Sequence, residues 1–509
     1  MDFAQILDGA EVLSQNGSAQ ITGVAYDSRQ VRPGTLFLAM RGGSSDGNRF
    51  IDAAISAGAV AVVTDSPQET ARKNVAWALV PHGRRALGRI SANLYKRPAE
   101  RLSLTGITGT NGKSTTAFLI ESILNAARRK TALVGTIEYH VCGKTLPAPH
   151  TTPESLELNR LFAEALACGS TEVVLEVSSH ALDQQRVFGM PFDVAVFTNL
   201  TRDHLDYHAT FDDYFAAKRV LFEGCGTEPP RVAVTNLDDA YGAKLMAFSK
   251  GKHSDVVTYG VSSGDFHSEE LQISTAGTRF RMVTPDGSIP IFSPLLGRVN
   301  VSNILAAAAA TYSRDCTLEH ISMGVSALMR VPGRFERVDA GQPFSVVVDY
   351  AHTDDALRNL TSLAREFVTH HGGSGRVITL FGCGGDRDRA KRPLMATAAA
   401  KGSDFVVLTS DNPRSEQPLT IIQGALPGLE GSSTRYAIEP DRRAAITLAI
   451  HEARPGDIVL IAGKGHEKIQ VLPTGPVPFD DVQVAREALQ ELGYSAQQKS
   501  AVVLGAPRE

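Results

Sequence analysis

The stretch GITGTNGKST (Gly106–Thr115) constrains this chain more than any other. An apolar run, LSLTGIT (Leu102–Thr108), leads into it, and an amphipathic run, TTAFLIESILNAA, leads out. Strand, glycine-rich turn and helix in that order are the setting of a phosphate loop. Glycines let the backbone come close to an anion, and successive N–H groups and the helix N-terminus then face it. Lys113 supplies a point charge for outer phosphates, and the Ser114 hydroxyl is a ligand type that suits Mg²⁺. The spacing is a variant. The general G-x-x-x-x-G-K pattern asks for glycine at position 107, where this chain has Ile107, and the glycine falls instead at Gly109. Such a loop belongs on a parallel sheet, so the chain is expected to be α/β.

At 509 residues the chain is long enough for about three domains. Proline and glycine punctuation divides it into 1–98, 99–333 and 334–493, with a polar tail, 494–509, expected to fray. The first block alternates strand-like ITGVAYDS and TLFLAM with a helical FIDAAISAG and a further strand, AVAVVTD, a small α/β unit. The second adds the apolar runs TEVVLEVSS (Thr171–Ser179) and DVAVFTNL (Asp193–Leu200), each ending in polar residues. The third has FSVVVDYA, RVITLFGCGG, DFVVLTSDNP and DIVLIAGKGH, with helical patterns such as TDDALRNLTSLAREFVTHH between them. Runs apolar on both faces are buried parallel strands, and function collects at their C-terminal ends.

Lys plus Arg is 51 and Asp plus Glu 55, a net charge of −4, which excludes a generally basic nucleic-acid binder. No signal peptide is expected from MDFAQILDGAEVLSQNGSAQ, and ILAAAAATY is too short to span a bilayer, so no membrane partner is expected and a cytoplasmic enzyme is. Five scattered cysteines with no C-x-x-C pair argue against a disulfide scaffold and for a reducing compartment.

TGTNGKST resembles, together with LEVSSHAL (Leu175–Leu182), NLTRDHLDYH (Asn199–His208) and VDYAHTDDAL (Val348–Leu357), the motif set of the Mur ligase family of ATP-dependent amide-bond ligases. GCGGDRDRAKRP, SDNPRSE and AGKGHE are similar to those of members that add meso-2,6-diaminopimelate, and DSRQVRPGTLFLA to their nucleotide-sugar-binding domain. The resemblance implies three α/β domains: a small UDP-MurNAc-binding domain, a central P-loop parallel-sheet ATPase domain and a C-terminal Rossmann-like domain. It implies ATP as cosubstrate, Mg²⁺ as cofactor, UDP-MurNAc-L-Ala-D-Glu and meso-diaminopimelate as substrates, and a monomer. The reaction is phosphorylation of the D-Glu γ-carboxylate to an acyl phosphate, followed by attack of an amine.

The same resemblance distributes roles. ATP falls to Gly109, Thr110, Asn111, Gly112, Lys113, Ser114 and Thr115, with Asn300, Arg334 and Asp349. Asn300 read from its position is equally a helix cap. Arg334 and Asp349 are expected to meet the nucleotide only when the third domain closes. Metal ligands are Ser114, Glu176, His204 and Lys218, the last as a carbamate (N6-carboxylysine). Mg²⁺ prefers oxygen, so chemistry alone would favour Asp203 over His204. Position alone makes Lys218 an exposed helix lysine; the resemblance reverses that and requires a lowered pKa. The catalytic groups are therefore Lys113, Glu176, His204 and Lys218. The sugar dipeptide falls to Ser28, Thr151, Thr152, Ser178, Gln184 and Arg186. Diaminopimelate falls to Arg387, Asp411, Asn412, Pro413, Arg414, Gly463 and Glu467. Arg414 carries the chemical argument: diaminopimelate differs from lysine by a distal carboxylate, and a guanidinium grips a carboxylate bidentately. One departure is visible: Asp354 stands where the family often has proline, and a change in a loop is expected there.

A folylpolyglutamate synthetase would share the phosphate loop but lack the sugar domain. A P-loop phosphotransferase would keep an Asp at the second metal position. A silent scaffold would not need Lys113, Glu176, His204 and Lys218 intact.

Overall fold

Runs such as VVLE and VAVF are apolar on both faces, and they become central strands because only a covered sheet buries both faces. The computed structural model describes residues 1–495 except 43–44, 68–73, 253–254, 275 and 371–373, so most of the expected frayed tail lies outside the described residues.

The first body is a five-stranded sheet of β1 (Ser14–Asn16), β2 (Gly23–Ala25), β3 (Thr35–Ala39), β4 (Ala59–Thr64) and β5 (Ala76–Leu79), ordered β1-β5-β4-β3-β2. Only the β1–β5 pair is antiparallel. Helix α1 (Gly83–Leu94) leads towards the second body.

That body opens with β6 (Ser103–Thr108) and α2 (Lys113–Ala126), followed by β7 (Thr131–Val134), the hairpin strands β8 (Glu138–Val141) and β9 (Lys144–Pro147), and α3 (Ser155–Ala167). Then come β10 (Glu172–Glu176), β11 (Val194–Phe197), α4 (Phe211–Glu223), β12 (Val232–Asn236) and β13 (Asp255–Tyr259). The eight strands run β13-β12-β11-β6-β10-β7-β8-β9, and only β8 is reversed, so that the β7–β8 and β8–β9 pairs are antiparallel and the rest parallel. β6 lies between β10 and β11, so the chain leaves it to both sides, and a crevice opens at its C-terminal end. A separate antiparallel sheet, β14 (His267–Ser274), β15 (Gly277–Thr284) and β16 (Gly287–Ser293), follows; its alternating pattern, as in TRFRMVT, was not anticipated. Helix α5 (Arg298–Tyr312) contains the alanine run, which is fully buried and packs closely on α2, as short side chains allow. Helix α6 (Leu318–Ala327) completes this body.

The third body has β17 (Glu336–Arg337), β18 (Ser345–Asp349), α7 (Asp354–His370), β19 (Val377–Cys383), α8 (Lys391–Gly402), β20 (Phe405–Ser410), β21 (Arg435–Ile438) and β22 (Ile458–Ala462), in sheet order β17-β18-β22-β19-β20-β21. All pairs but β17–β18 are parallel. A hairpin, β23 (Ile469–Leu472) and β24 (Gly475–Pro478), follows.

Two expectations change. Cys142 and Cys168 form a disulfide, with Cα atoms 5.5 Å apart, joining the β8–β9 turn to the end of α3; Cys225, Cys316 and Cys383 are free and buried. The sparse count hid a single clip. Asp354 is the first residue of α7 rather than part of a loop, and its carboxylate accepts from Arg358 at 2.7 Å. Proline and aspartate both suit a helix start, one by its fixed φ and the other by its charge against the dipole. Among the described residues, no helix is long and apolar enough to cross a membrane.

Candidate active site

The loop after β6 needs its glycines. Gly109 and Gly112 have φ of +146° and +89°. A Cβ at Gly109 would lie 1.9 Å from Thr198 Oγ1, and one at Gly112 2.4 Å from Asn303 Oδ1. Gly112 caps α2 without any side-chain bond, which leaves the first helical N–H groups free for an anion. Lys113 Nζ folds back to donate to the Gly109 and Thr110 carbonyls at 2.9 Å each. Burial pulls its pKa down while Glu176 pulls it up, and burial wins. The Thr110 hydroxyl contacts the Tyr214 hydroxyl at 3.1 Å, and its N–H donates to Asn199, so Thr110 anchors the loop.

Glu176, at the end of β10, is fully buried. Its Oε2 accepts from Ser114 Oγ at 3.0 Å and Thr136 Oγ1 at 2.8 Å, and its Oε1 from the Thr136 N–H at 2.9 Å. A hydroxyl and a carboxylate oxygen side by side at a phosphate loop are hard donors of the kind Mg²⁺ takes. His204, in the segment after β11, has φ +54°, and its Nε2 lies 3.4 Å from Asp203 Oδ2. Burial pushes its pKa down to about 3 against the pull of Asp203, leaving a neutral imidazole able to ligate. Lys218, on α4, is 2% exposed, which overturns the reading from position alone. Its Nζ donates to the Gly109 carbonyl at 2.9 Å and lies 4.3 Å from the Tyr214 ring centroid. Burial first, then the charge of Lys113, hold it well below the ordinary lysine value. Among the described residues, no three His, Cys, Asp or Glu side chains are grouped to hold a metal. Beside Glu176 and His204, the set named from sequence takes its other donors from the Ser114 hydroxyl and a modified Lys218.

A cavity of about 130 Å³ joins Asn111, Gly112, Ser114 and Asn300 to Arg334 and Asp349 of the third body. Arg334 lies over the Tyr350 ring at 4.6 Å and donates to Ser114 Oγ at 3.4 Å. Asp349 accepts from the Phe335 and Ala351 N–H groups at 2.7 and 2.8 Å, and burial raises its pKa. The third body thus stands closed on the loop. Asn300 is not the helix cap, which is Gly297; its amide donates to the Leu296 carbonyl at 2.7 Å. Thr115 is buried in the first turn of α2.

The residues named for the sugar dipeptide group unevenly. Thr151 meets Thr136 through hydroxyls 3.1 Å apart. Thr152 is buried, its hydroxyl donating to the Glu176 carbonyl at 2.8 Å and accepting from the Ser178 N–H at 3.1 Å, bonds that shape the loop. Ser178 Oγ caps the turn Ser179–Asp183. Arg186 bonds Gln184 Oε1 at 2.8 Å and the Thr152 carbonyl at 2.9 Å. Ser28 lies in the first body, half-buried, and no side-chain bond joins it to the others.

A second cavity, about 170 Å³, brings His204 of the central body against Arg387, Asp411, Arg414, Gly463 and Glu467 of the third. The third-body residues follow the C-terminal ends of β19, β20 and β22. Arg414, at φ +53°, donates to the Gly385 carbonyl at 2.7 Å and, among the described residues, pairs with no carboxylate. Burial, then the neighbouring Arg387, lower its pKa. The Pro413 backbone carbonyl sits close over Gly385, where a Cβ would lie 1.9 Å from it. Glu467 is already engaged, accepting at 2.8 Å from both Lys464 and Asn412. Asp411 is buried, which raises its pKa, and its Oδ1 has no hydrogen-bond partner. Lys464, 0% exposed, was missed, as were Thr136, Tyr350, His352 and Lys391. Lys464 and Lys391 stand inside quoted motifs, but nothing in a sequence marks a lysine as buried.

Comparisons with known proteins agree with this geometry. Residues 20–95 match the Mur ligase family catalytic domain, 107–311 the Mur ligase middle domain, and 333–465 the Mur ligase glutamate ligase domain. A protein of Solibacter usitatus (strain Ellin6076), UDP-N-acetylmuramoyl-L-alanyl-D-glutamate–2,6-diaminopimelate ligase, is 53% identical over 501 residues, covering 97% of this chain and 99% of its own. A solved structure of a ligase of that name is 34% identical, with a TM-score of 0.66 over 97% of this chain and 100% of its own. Mycobacterium tuberculosis folylpolyglutamate synthase, at 18% identity and TM-score 0.60 over 79% of this chain and 93% of its own, shares the fold alone.

Proposed function

The chain belongs to the Mur ligase family, and from that premise we infer that it is the ATP-dependent ligase joining meso-2,6-diaminopimelate to UDP-MurNAc-L-Ala-D-Glu for peptidoglycan synthesis. One observation carries the substrate assignment: a single cavity holds His204 at the phosphate-loop side and, opposite, the guanidinium groups of Arg387 and Arg414, which pair with no carboxylate among the described residues.

The γ-carboxylate of D-Glu attacks the γ-phosphorus of ATP, forming an acyl phosphate and releasing ADP. An amine of diaminopimelate then attacks the acyl carbon, and inorganic phosphate leaves from the tetrahedral intermediate with the bridging oxygen. Such transfer is mostly positioning and neutralisation of charge. Lys113 and the α2 N-terminus hold the outer phosphates, and Arg334 adds a cation from the third body. Mg²⁺, held by Ser114, Glu176, His204 and Lys218 as its carbamate, would neutralise phosphate charge and screen the two anions from one another. A neutral Lys218 amine is what CO₂ requires, and its burial beside Lys113 favours that form. Closure of the third body excludes water, to which the acyl phosphate would otherwise be lost. Arg414 and Arg387 take the distal carboxylate of the amine, and Glu467 with Asp411 the distal ammonium. Thr151, Gln184 and Arg186 face the peptide, and Ser28 the uridine diphosphate end. The site of action is the cytoplasm, and the working unit a monomer.

Phosphate release by purified protein, with meso-diaminopimelate and L-lysine compared side by side, tests this. Release that requires both UDP-MurNAc-L-Ala-D-Glu and diaminopimelate is expected. Equal rates without the diamine, or a preference for lysine, refute it.

A further inference from the structure

Residues 202 and 203, just after β11, meet the start of α8 in the third body through two ion pairs of opposite sense. Arg202 NH2 lies 3.5 Å from Asp388 Oδ2, and Asp203 Oδ1 lies 3.5 Å from Lys391 Nζ. Asp203 is also 3.5 Å from His352 of the third body. Asp203 and Lys391 are both buried, and Arg202 Nε and Asp388 Oδ2 have no hydrogen-bond partner of their own. Asp203 has His204 beside it at 3.4 Å in its own body, and Asp388 accepts from the Ala390 N–H at 2.8 Å, but the cations Arg202 and Lys391 find their carboxylates across the domain boundary, where the loss of a partner from the buried Asp203–Lys391 pair is costly.

The segment between β19 and α8 that carries Asp388 also carries Arg387, which faces the amine cavity. Asp386 ties the same segment to the Arg414 stretch, accepting from Ser415 N and Oγ at 3.1 and 2.7 Å. Arg387 and Arg414 repel one another until an anion stands between them.

We propose that the crossed pairs Arg202–Asp388 and Asp203–Lys391 form a charge clasp that holds the third domain shut, and that the amine's carboxylate, by settling Arg387 against Arg414, sets the clasp. A ligand shifts a closing equilibrium only as far as it prefers the closed state, and this cavity has walls from both bodies only when closed. Arg202 and Asp388 are positioning residues: they touch neither nucleotide nor amine, and they commit the acyl phosphate to aminolysis instead of hydrolysis. This rests on the ligase assignment above.

The test is a double-mutant cycle of Arg202→Ala, Asp388→Ala and both together, with the exchange Arg202→Asp/Asp388→Arg. Phosphate release is compared with amide product formed, with and without meso-diaminopimelate. Each single change is expected to lower kcat/KM for diaminopimelate about fivefold or more, raise phosphate released without product, and leave the KM for ATP within about twofold. The double alanine variant should be no worse than the worse single one, and the exchange should recover most of the coupling. Multiplicative losses, or unchanged uncoupled release, overturn the clasp. Should the exchanged protein fail to fold, the alanine cycle decides alone. Wild-type release that ignores diaminopimelate refutes the ligase assignment; dependence on it together with a multiplicative cycle refutes the clasp only.

Discussion

Arg387 and Arg414 face one cavity with no carboxylate of the protein within ion-pair distance of Arg414 among the described residues. Two guanidinium groups in that state are completed by an external anion, and a carboxylate fits both forks. Arg414→Ala should therefore raise the KM for diaminopimelate more than about tenfold, because a buried carboxylate without its partner loses several kcal/mol. The KM for ATP, bound in the other cavity, should barely move; comparable changes in both would remove Arg414 from the amine site. Lys218 supports a second expectation. Its ammonium is buried beside Lys113 with the Gly109 carbonyl and the Tyr214 ring against it, a poor setting for a charge. Lys218→Ala should abolish activity, and added short carboxylates should restore part of it by taking the carbamate's place. Activity that stays lost at every carboxylate concentration counts against the modification. The motifs singled out both residues, but that Lys218 is buried was not to be read from its position in a helix. Thr152 shows what a sequence leaves out: its hydroxyl bonds two backbone groups, the Glu176 carbonyl and the Ser178 N–H, that only the folded chain brings near.

The elements follow the same division. β6, β10, β11, β18, β19, β20 and β22 were readable because a strand buried on both faces has to be a continuous apolar run. β8, β9 and the sheet of β14, β15 and β16 have one exposed face, and their weaker alternation is easily passed over. The β8–β9 hairpin buries Tyr139 and Val141 in the core of the central body, and two clips add to that burial. The Cys142–Cys168 bond closes a separation of 26 residues, which in the chain-entropy account is worth about 3.5 kcal/mol. Cys142→Ser should lower stability by about that amount in oxidising buffer, and the difference should vanish with dithiothreitol; urea titrations in both buffers check it. His140, on β8, lies 2.7 Å from Glu121 of α2 and 2.9 Å from Glu138. Burial would lower its pKa, but the bonds and charges of those carboxylates raise it to about 9. A raised folded-state value stabilises fully below the unfolded pKa near 6.5, and the gain is lost as pH rises through 9. His140→Gln should thus cost on the order of 2–3 kcal/mol at pH 6 and almost nothing at pH 10. A pH-independent difference would mean that the imidazole is not charged in the folded protein.

At the scale of the molecule, three α/β bodies in series were visible from punctuation and strand runs, but their mutual placement was not, because no local pattern encodes which loop ends face one another. The structure puts the C-terminal edges of two parallel sheets opposite each other, and the nucleotide cavity lies between them, with Asn111 and Ser114 on one wall and Arg334 and Asp349 on the other. Among the described residues, polar bonds cross the boundary, such as Asn111 to Asp355 at 3.2 Å and Arg334 to Ser114 at 3.4 Å, beside the ion pairs of Arg202 with Asp388 and Asp203 with Lys391. Polar seams of this kind separate readily, so the empty protein should unfold in stages. A nucleotide bound in the cavity needs both walls folded and apposed, and its binding free energy is shared by both bodies. At a non-hydrolysable ATP analogue concentration about 100 times its Kd, the added stability is about 2.7 kcal/mol. Scanning calorimetry should then show the transitions of the central and third bodies moving up together and merging, while that of the first body stays where it was. Arg334→Ala, which removes the third body's cation from over Tyr350, should keep the rise of the central transition and lose that of the third. If the analogue raises the central transition alone in the wild-type protein, the third body makes no part of the nucleotide site, and closure has to be driven from the amine cavity.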